Sequence, residues 1–192
     1  MSNKRIAIYA MLVAITIVLA ITPIGMIQLP IISITIMHIP VIIAAILYGV
    51  QGGTILGVVF GIAAWYTALT RAVTPVDLLF QNPLFAVLPR ILFGVFTGLL
   101  AQFVMKKDLK LEVKAGIIGL SGSLIHSILV LGFLFLFALL DFTGMTILEA
   151  LQQYFVALIG ALTANVIIEA VAAMAISIAI THALQRVHVL KK

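Results

Sequence analysis

Three ionisable residues stand inside the apolar runs of this chain: Arg90, His126 and Glu169. An ionisable group at membrane depth is costly, so each marks either a function or a buried partner. Arg90 follows Pro89 near one end of its run, and its guanidinium offers a planar fork of donors suited to a carboxylate. The alternatives for it are snorkelling to the interface or pairing with Asp77. His126 falls about three turns into a later run, where an imidazole either packs as a satisfied side chain or joins other polar groups. Asn165 and Glu169 are one helical turn apart and share a face, either as ligand contacts or as a structural pair held to a neighbour through His126.

Stepping out from these residues, the chain must supply helices to hold them. It has 192 residues, 64% hydrophobic and 9% charged, with a mean hydropathy of +1.33. Soluble domains carry about 25% charged residues, so the fold class expected is an all-α integral membrane protein, one transmembrane domain over residues 1–192. The basic residues behind the net charge of +5 lie between apolar runs. They read as topology signals, not as a nucleic-acid surface. Lys4-Arg5 before an apolar run could imitate a signal peptide, but the runs continue to the C-terminus, which favours a retained first helix. The absence of cysteine excludes a thiolate metal site, and no metal site or catalytic group is expected.

The stretch MHIPVIIAAILYGVQGGTILGVVFG (37–61) organises the rest. Pro40 suits a first helical turn, the run to Tyr48 is apolar, and Gly49, Gly52 and Gly53 break it. Gly53, Gly57 and Gly61 then form a small-residue stripe. The two runs, roughly 10 and 14 residues, are shorter than the ~20 a full crossing needs. Helices 2 and 3 are therefore expected as a short hairpin, with non-helical backbone filling the remaining depth and lining a cavity. Gln28 to Met37 alternates isoleucine with smaller or polar residues, which predicts an extended segment leading to His38.

A first helix is expected over Ile6–Ile21, with Ala7, Ala10 and Ala14 on one face, for internal packing or for a partner. Tyr66–Pro83 reads as a loop, followed by helices over Leu84–Met105, Ala115–Leu140 and Tyr154–Leu184. Six crossings with both termini cytoplasmic would put Lys4, Arg5, the Lys106–Lys114 loop, Arg186, Lys191 and Lys192 on the inner side. There is no glycine-rich phosphate loop with a lysine, so the chain should not itself hydrolyse ATP. Gly119-Leu120-Ser121-Gly122 matches the short motif around the nucleophile of rhomboid proteases, with His182 as the corresponding histidine. The glycine usual three residues after that histidine is missing.

The chain resembles the substrate-binding S components of energy-coupling factor (ECF) vitamin transporters, most closely the pantothenate-specific group. The resemblance rests on IQLPIISITIMHIPVIIAAILYG, the Gly57/Gly61 helix, FQNPLFAVLPRILFG, GSLIHSILVLG and ANVIIEAVAA. It implies a vitamin-binding membrane subunit of the bacterial cell membrane that captures its substrate outside the cell. It implies no cofactor in this chain, ATP being used by two ATPase partner subunits alongside a transmembrane scaffold subunit. Arg90, His126, Asn165 and Glu169 would be the pocket's polar groups, with His38 and Asn82 at its rim. Ala10 and Ala14 match the family's Ala-x-x-x-Ala motif, which contacts the scaffold, with Ala7 beside them. His126 stands where pantothenate-type members often have asparagine, so folate, riboflavin or another vitamin is the alternative substrate.

Overall fold

The computed structural model describes residues 3–28, 33–72, 78–139 and 166–186. Five helices among them are long and apolar enough to cross a membrane: α1 (Asn3–Ile21), α2 (Ile39–Arg71), α3 (Pro83–Met105), α4 (Leu111–Leu139) and α5 (Val166–Arg186). The expected all-helical membrane fold is present. Of the segment expected to be extended, Gln28 and Ser33–Thr35 are strand, in a two-stranded antiparallel ladder of β1 (Met26–Gln28) against β2 (Ser33–Thr35) with Met26 opposite Thr35, Met37 is in a turn, and 29–32 lie outside the described residues.

α1 turns one face inward, where Tyr9, Leu12, Thr16 and Ala20 are buried at helical spacing. Its other face carries exposed Ile6, Met11, Ile15 and Val18, as a lipid-facing helix requires. At one end Arg5 donates to Gln51 (2.6 Å) and lies 4.8 Å from the centre of the Tyr48 ring. At the other end the Thr67 hydroxyl donates to the Ala20 carbonyl (3.1 Å) and Arg71 caps the carbonyl of Ile21.

α2 is two helical legs joined at Gly49, whose φ of 62° and ψ of −142° lie outside the helical range. A Cβ placed on Gly52 would fall 2.2 Å from the carbonyl oxygen of Ala44, a residue that a straight helix would hold about 12 Å away along its axis. The chain therefore doubles back, as the glycine-broken run predicts, and glycine suits the left-handed turn. The second leg is longer than expected. Tyr66–Arg71, read from the sequence as the start of a loop, is helical to Arg71. Its polar residues are accommodated within the helix: the Thr70 hydroxyl bonds back to the Tyr66 carbonyl (2.9 Å), and the Thr67 hydroxyl shares its one proton between the carbonyls of Ala63 (2.9 Å) and Ala20.

The glycine stripe of the second leg packs on α3. A Cβ on Gly53 would sit 2.1 Å from the Gly94 carbonyl oxygen, and one on Gly57 would sit 2.6 Å from that of Arg90. Only a missing side chain lets the two backbones approach so closely, and this contact fixes the depth of Arg90. α4 meets α5 in the same manner, Gly119 lying against the backbone of Ala173.

Candidate functional site

The first leg of α2 sets the site's depth. Its ten residues, 39–48, rise only about 15 Å, half of a ~30 Å hydrocarbon core. His38, at its start, is fully buried, and the backbone leading to it is non-helical or in the ladder. Irregular backbone at such depth persists only where protein covers it or it lines a cavity.

Three chain segments far apart in sequence meet there. His38 and His126 stack with ring centres 5.0 Å apart and planes 7° from parallel. One nitrogen of each ring and a carboxylate oxygen of Glu169 all lie within 4.8 Å of one another. Phe60 and Phe93 close the sides, 5.5 and 5.1 Å from the His126 ring. The backbone N–H of Thr35 on β2 donates to Oε1 of Glu169 at 2.6 Å, so the carboxylate ties the ladder to α5. Neither nitrogen of His126 has a hydrogen-bond partner among the described residues, and the His38 ring has only the Thr35 backbone within reach. At least one nitrogen of the His126 ring is an N–H, and leaving such a group unpaired in a buried place costs about 1–3 kcal/mol.

Arg90 does not snorkel; it is buried. Pro89 has no N–H to give the carbonyl four residues earlier, that of Phe85. The guanidinium of Arg90 takes over that acceptor, Nη1 donating to the Phe85 oxygen at 2.9 Å. Its Cζ lies 4.6 Å from the Phe80 ring centre and 5.8 Å from that of Phe60, so Phe60 touches both Arg90 and His126. Nε of Arg90 has no partner among the described residues. A cation held between aromatic faces with donors to spare is suited to an anion.

The structure thus brings together Arg90, His126, Glu169 and His38. His38 stands in the wall itself, not at a rim. Asn82 is exposed and caps α3, its side chain accepting from the Leu84 N–H at 3.0 Å. Asn165 and Asp77 lie outside the described residues. Phe60, Phe80 and Phe93 were not singled out from the sequence, because aromatic residues in apolar runs give no local sign of function. Thr35 makes its contact through its backbone N–H, which no side-chain pattern in the sequence signals. Ala7, Ala10 and Ala14 are all exposed on the outward face of α1, away from the other described helices. The rhomboid-like motif is a packing element, with Gly119 against α5, while His182 pairs with Glu112 (3.4 Å) at the opposite end of the molecule from His38.

An apolar helical body with a buried polar site at half depth describes a membrane protein that binds a small molecule. Residues 4–181 match the family of ECF transporter substrate-specific components, and the chain belongs to that family. It is therefore a multi-pass protein of the cell membrane and a transport component, from a family whose members partner an energy-coupling module. The chain is also similar to the pantothenic acid transporter PanT of Lactococcus lactis subsp. cremoris (strain MG1363), at 31% identity over 167 residues, 79% of this chain and 78% of that protein.

Proposed function

We propose that the chain is the high-affinity vitamin-binding subunit of an ECF importer and that its substrate is pantothenate. The observation that carries this reading is the buried Arg90, held by Phe85 and two aromatic rings with Nε unpartnered, beside His126, whose ring nitrogens also lack partners among the described residues. Pantothenate is a small anion with hydroxyls and an amide. Its carboxylate pairs with Arg90, and its hydroxyls and amide meet His38, His126, Asn165 and Glu169. The similarity to PanT supports the same choice.

Counting each leg of α2 as a crossing makes six, with both termini cytoplasmic. Lys4, Arg5, Lys106, Lys107, Lys110, Lys114 and Arg186 then fall at one end of the bundle, as cytoplasmic basic residues do. The site opens towards the other side, and substrate is captured from outside. The exposed face of α1 around Ala7, Ala10 and Ala14 docks on a scaffold subunit, whose two ATPase partners drive reorientation and release. The chain itself performs no chemistry.

The test is calorimetric titration of the detergent-solubilised protein with pantothenate, with mass spectrometry of the small molecule that copurifies. Arg90→Ala should weaken binding by about 1.5–3 kcal/mol, the worth of a charge-assisted hydrogen bond. Unchanged affinity would remove Arg90 from the site, and a different copurifying vitamin would overturn the substrate.

A further inference from the structure

We infer that His38, His126 and Glu169 form a three-ligand site for a divalent transition cation of the zinc class. The inference goes beyond the vitamin reading and stands without it, because it rests on the mutual placement of these three groups alone. Two imidazoles and one carboxylate are a recurrent zinc donor set that leaves a fourth position open.

Three observations carry it. The donor atoms lie within 4.8 Å of one another. In a tetrahedral site with ligand bonds of about 2.0–2.1 Å the donors are about 3.4 Å apart, so closing on a cation takes at most a ~1.4 Å approach (4.8 less 3.4). Both histidines are more than nine-tenths buried; neither ring nitrogen of His126 has a hydrogen-bond partner among the described residues, and the His38 ring has only the Thr35 backbone beside it. A cation would engage one in-plane lone pair of each ring, which requires the two near-parallel rings to turn until both planes meet at the ion. Glu169 is already oriented, since Thr35 N–H holds Oε1 at 2.6 Å; such outer contacts to a ligating carboxylate are what fix it for a metal. Phe60 and Phe93 supply an apolar surround that excludes competing water.

Arg90 shares Phe60 with His126, so the cation would have a positive neighbour. Glu169 supplies one negative charge against it, and the open fourth position suits an anionic oxygen. Imidazole and carboxylate together favour zinc, cobalt or nickel over the hard cations magnesium and calcium, which take oxygen donors.

The experiment uses untagged full-length protein in detergent, stripped with a chelator and titrated with Co2+ in the absence of any vitamin. The expected result is one cobalt per chain by elemental analysis after desalting, with the visible absorption of a four-coordinate ion. His126→Asn, His38→Gln and Glu169→Gln should each weaken Co2+ binding by more than roughly tenfold, since losing an outer-shell partner alone costs that much. Thermal unfolding of each variant establishes that it is folded. Absence of the absorption band, stoichiometry well below one, or affinity unchanged in the three variants would overturn the inference. Loss of binding on His182→Ala instead would assign an adventitious ion to the surface pair of His182 and Glu112, and would overturn it equally. Pantothenate titration of the chelator-stripped wild type, run separately, bears on the vitamin assignment and leaves the cation result unaffected.

Discussion

α1 and the first leg of α2 are both almost purely apolar, yet they occupy opposite environments. Every residue from Ile39 to Ile46 is buried, whereas α1 buries a single narrow face and exposes Ile6, Met11, Ile15, Ile17, Val18 and Ile21. Composition does not separate the two. Length and punctuation do: the first leg is stopped after ten residues by Gly49, while α1 runs for 19 residues. A helix too short to cross cannot lie against lipid along a whole span, so it is enclosed by its neighbours. In a bilayer the tails are as apolar as leucine, and what holds enclosed helices together is close packing. The enclosed leg therefore carries the site at its tip, and the outward helix is left with a surface.

That contrast can be broken at several points. The largest effect is expected at the contact that encloses the hairpin. Gly53→Leu drives a side chain into the Gly94 carbonyl, backbone that cannot give way, and should destabilise by about 3 kcal/mol or more, or prevent folding. Thermal unfolding and monodisperse yield in detergent measure it. Next comes the leg itself: Ile42 is fully buried, and Ile42→Ala should cost about 2–3 kcal/mol, the lower part of the usual range, because only the cavity and not the transfer from water counts. Val18→Ala on α1, exposed to lipid, should stay within about 0.5 kcal/mol. Equal costs for these two would erase the distinction between enclosed and outward helices.

Gly49→Ala tests the turn. Its φ of 62° costs a non-glycine residue about 1–2 kcal/mol, and the side chain of Gln102, 2.8 Å from the added Cβ, can swing aside. The melting temperature should fall with vitamin affinity retained. The smallest effect on stability is expected for Ala10→Trp. Ala10 is exposed, so folding and vitamin binding should be unchanged, while on the proposed docking reading uptake in cells with the coupling module is lost. Normal uptake would take the outward face out of the interface.

Much of the scaffold could be read from spacing alone. Glycines four apart on a helix must share a face, and Gly53, Gly57 and Gly61 do line the contact with α3. The doubling back at Gly49 followed from two runs too short to span. The alternation of Gln28–Met37 announced extended backbone, although its pairing with Met26–Gln28 has no local signature. The site was only partly legible. Arg90, His126 and Glu169 stood out because charge is rare among apolar residues. That His38 and Glu169 would meet was not, since 131 positions separate them (169 less 38) and their proximity depends on how three helices pack. Arg90 carries a signal that could have been used: a proline immediately before it leaves the Phe85 carbonyl without its helical donor, and the neighbouring guanidinium is the nearest replacement. Asparagine before proline is also a helix-cap signal, and Asn82 is used as a cap here.

The ten-residue leg that ends at Gly49 has a consequence for distance. The imidazole of His38 stands one and a half nanometres, about ten residues' rise, from the tip of the hairpin that lies beside Arg5. A molecule resting on His38 is thus already halfway through the insulating layer. Between His38 and that tip the chain places only the enclosed leg 39–48, so under the proposed reorientation the bound molecule starts from the interior of the body and not from its outer surface.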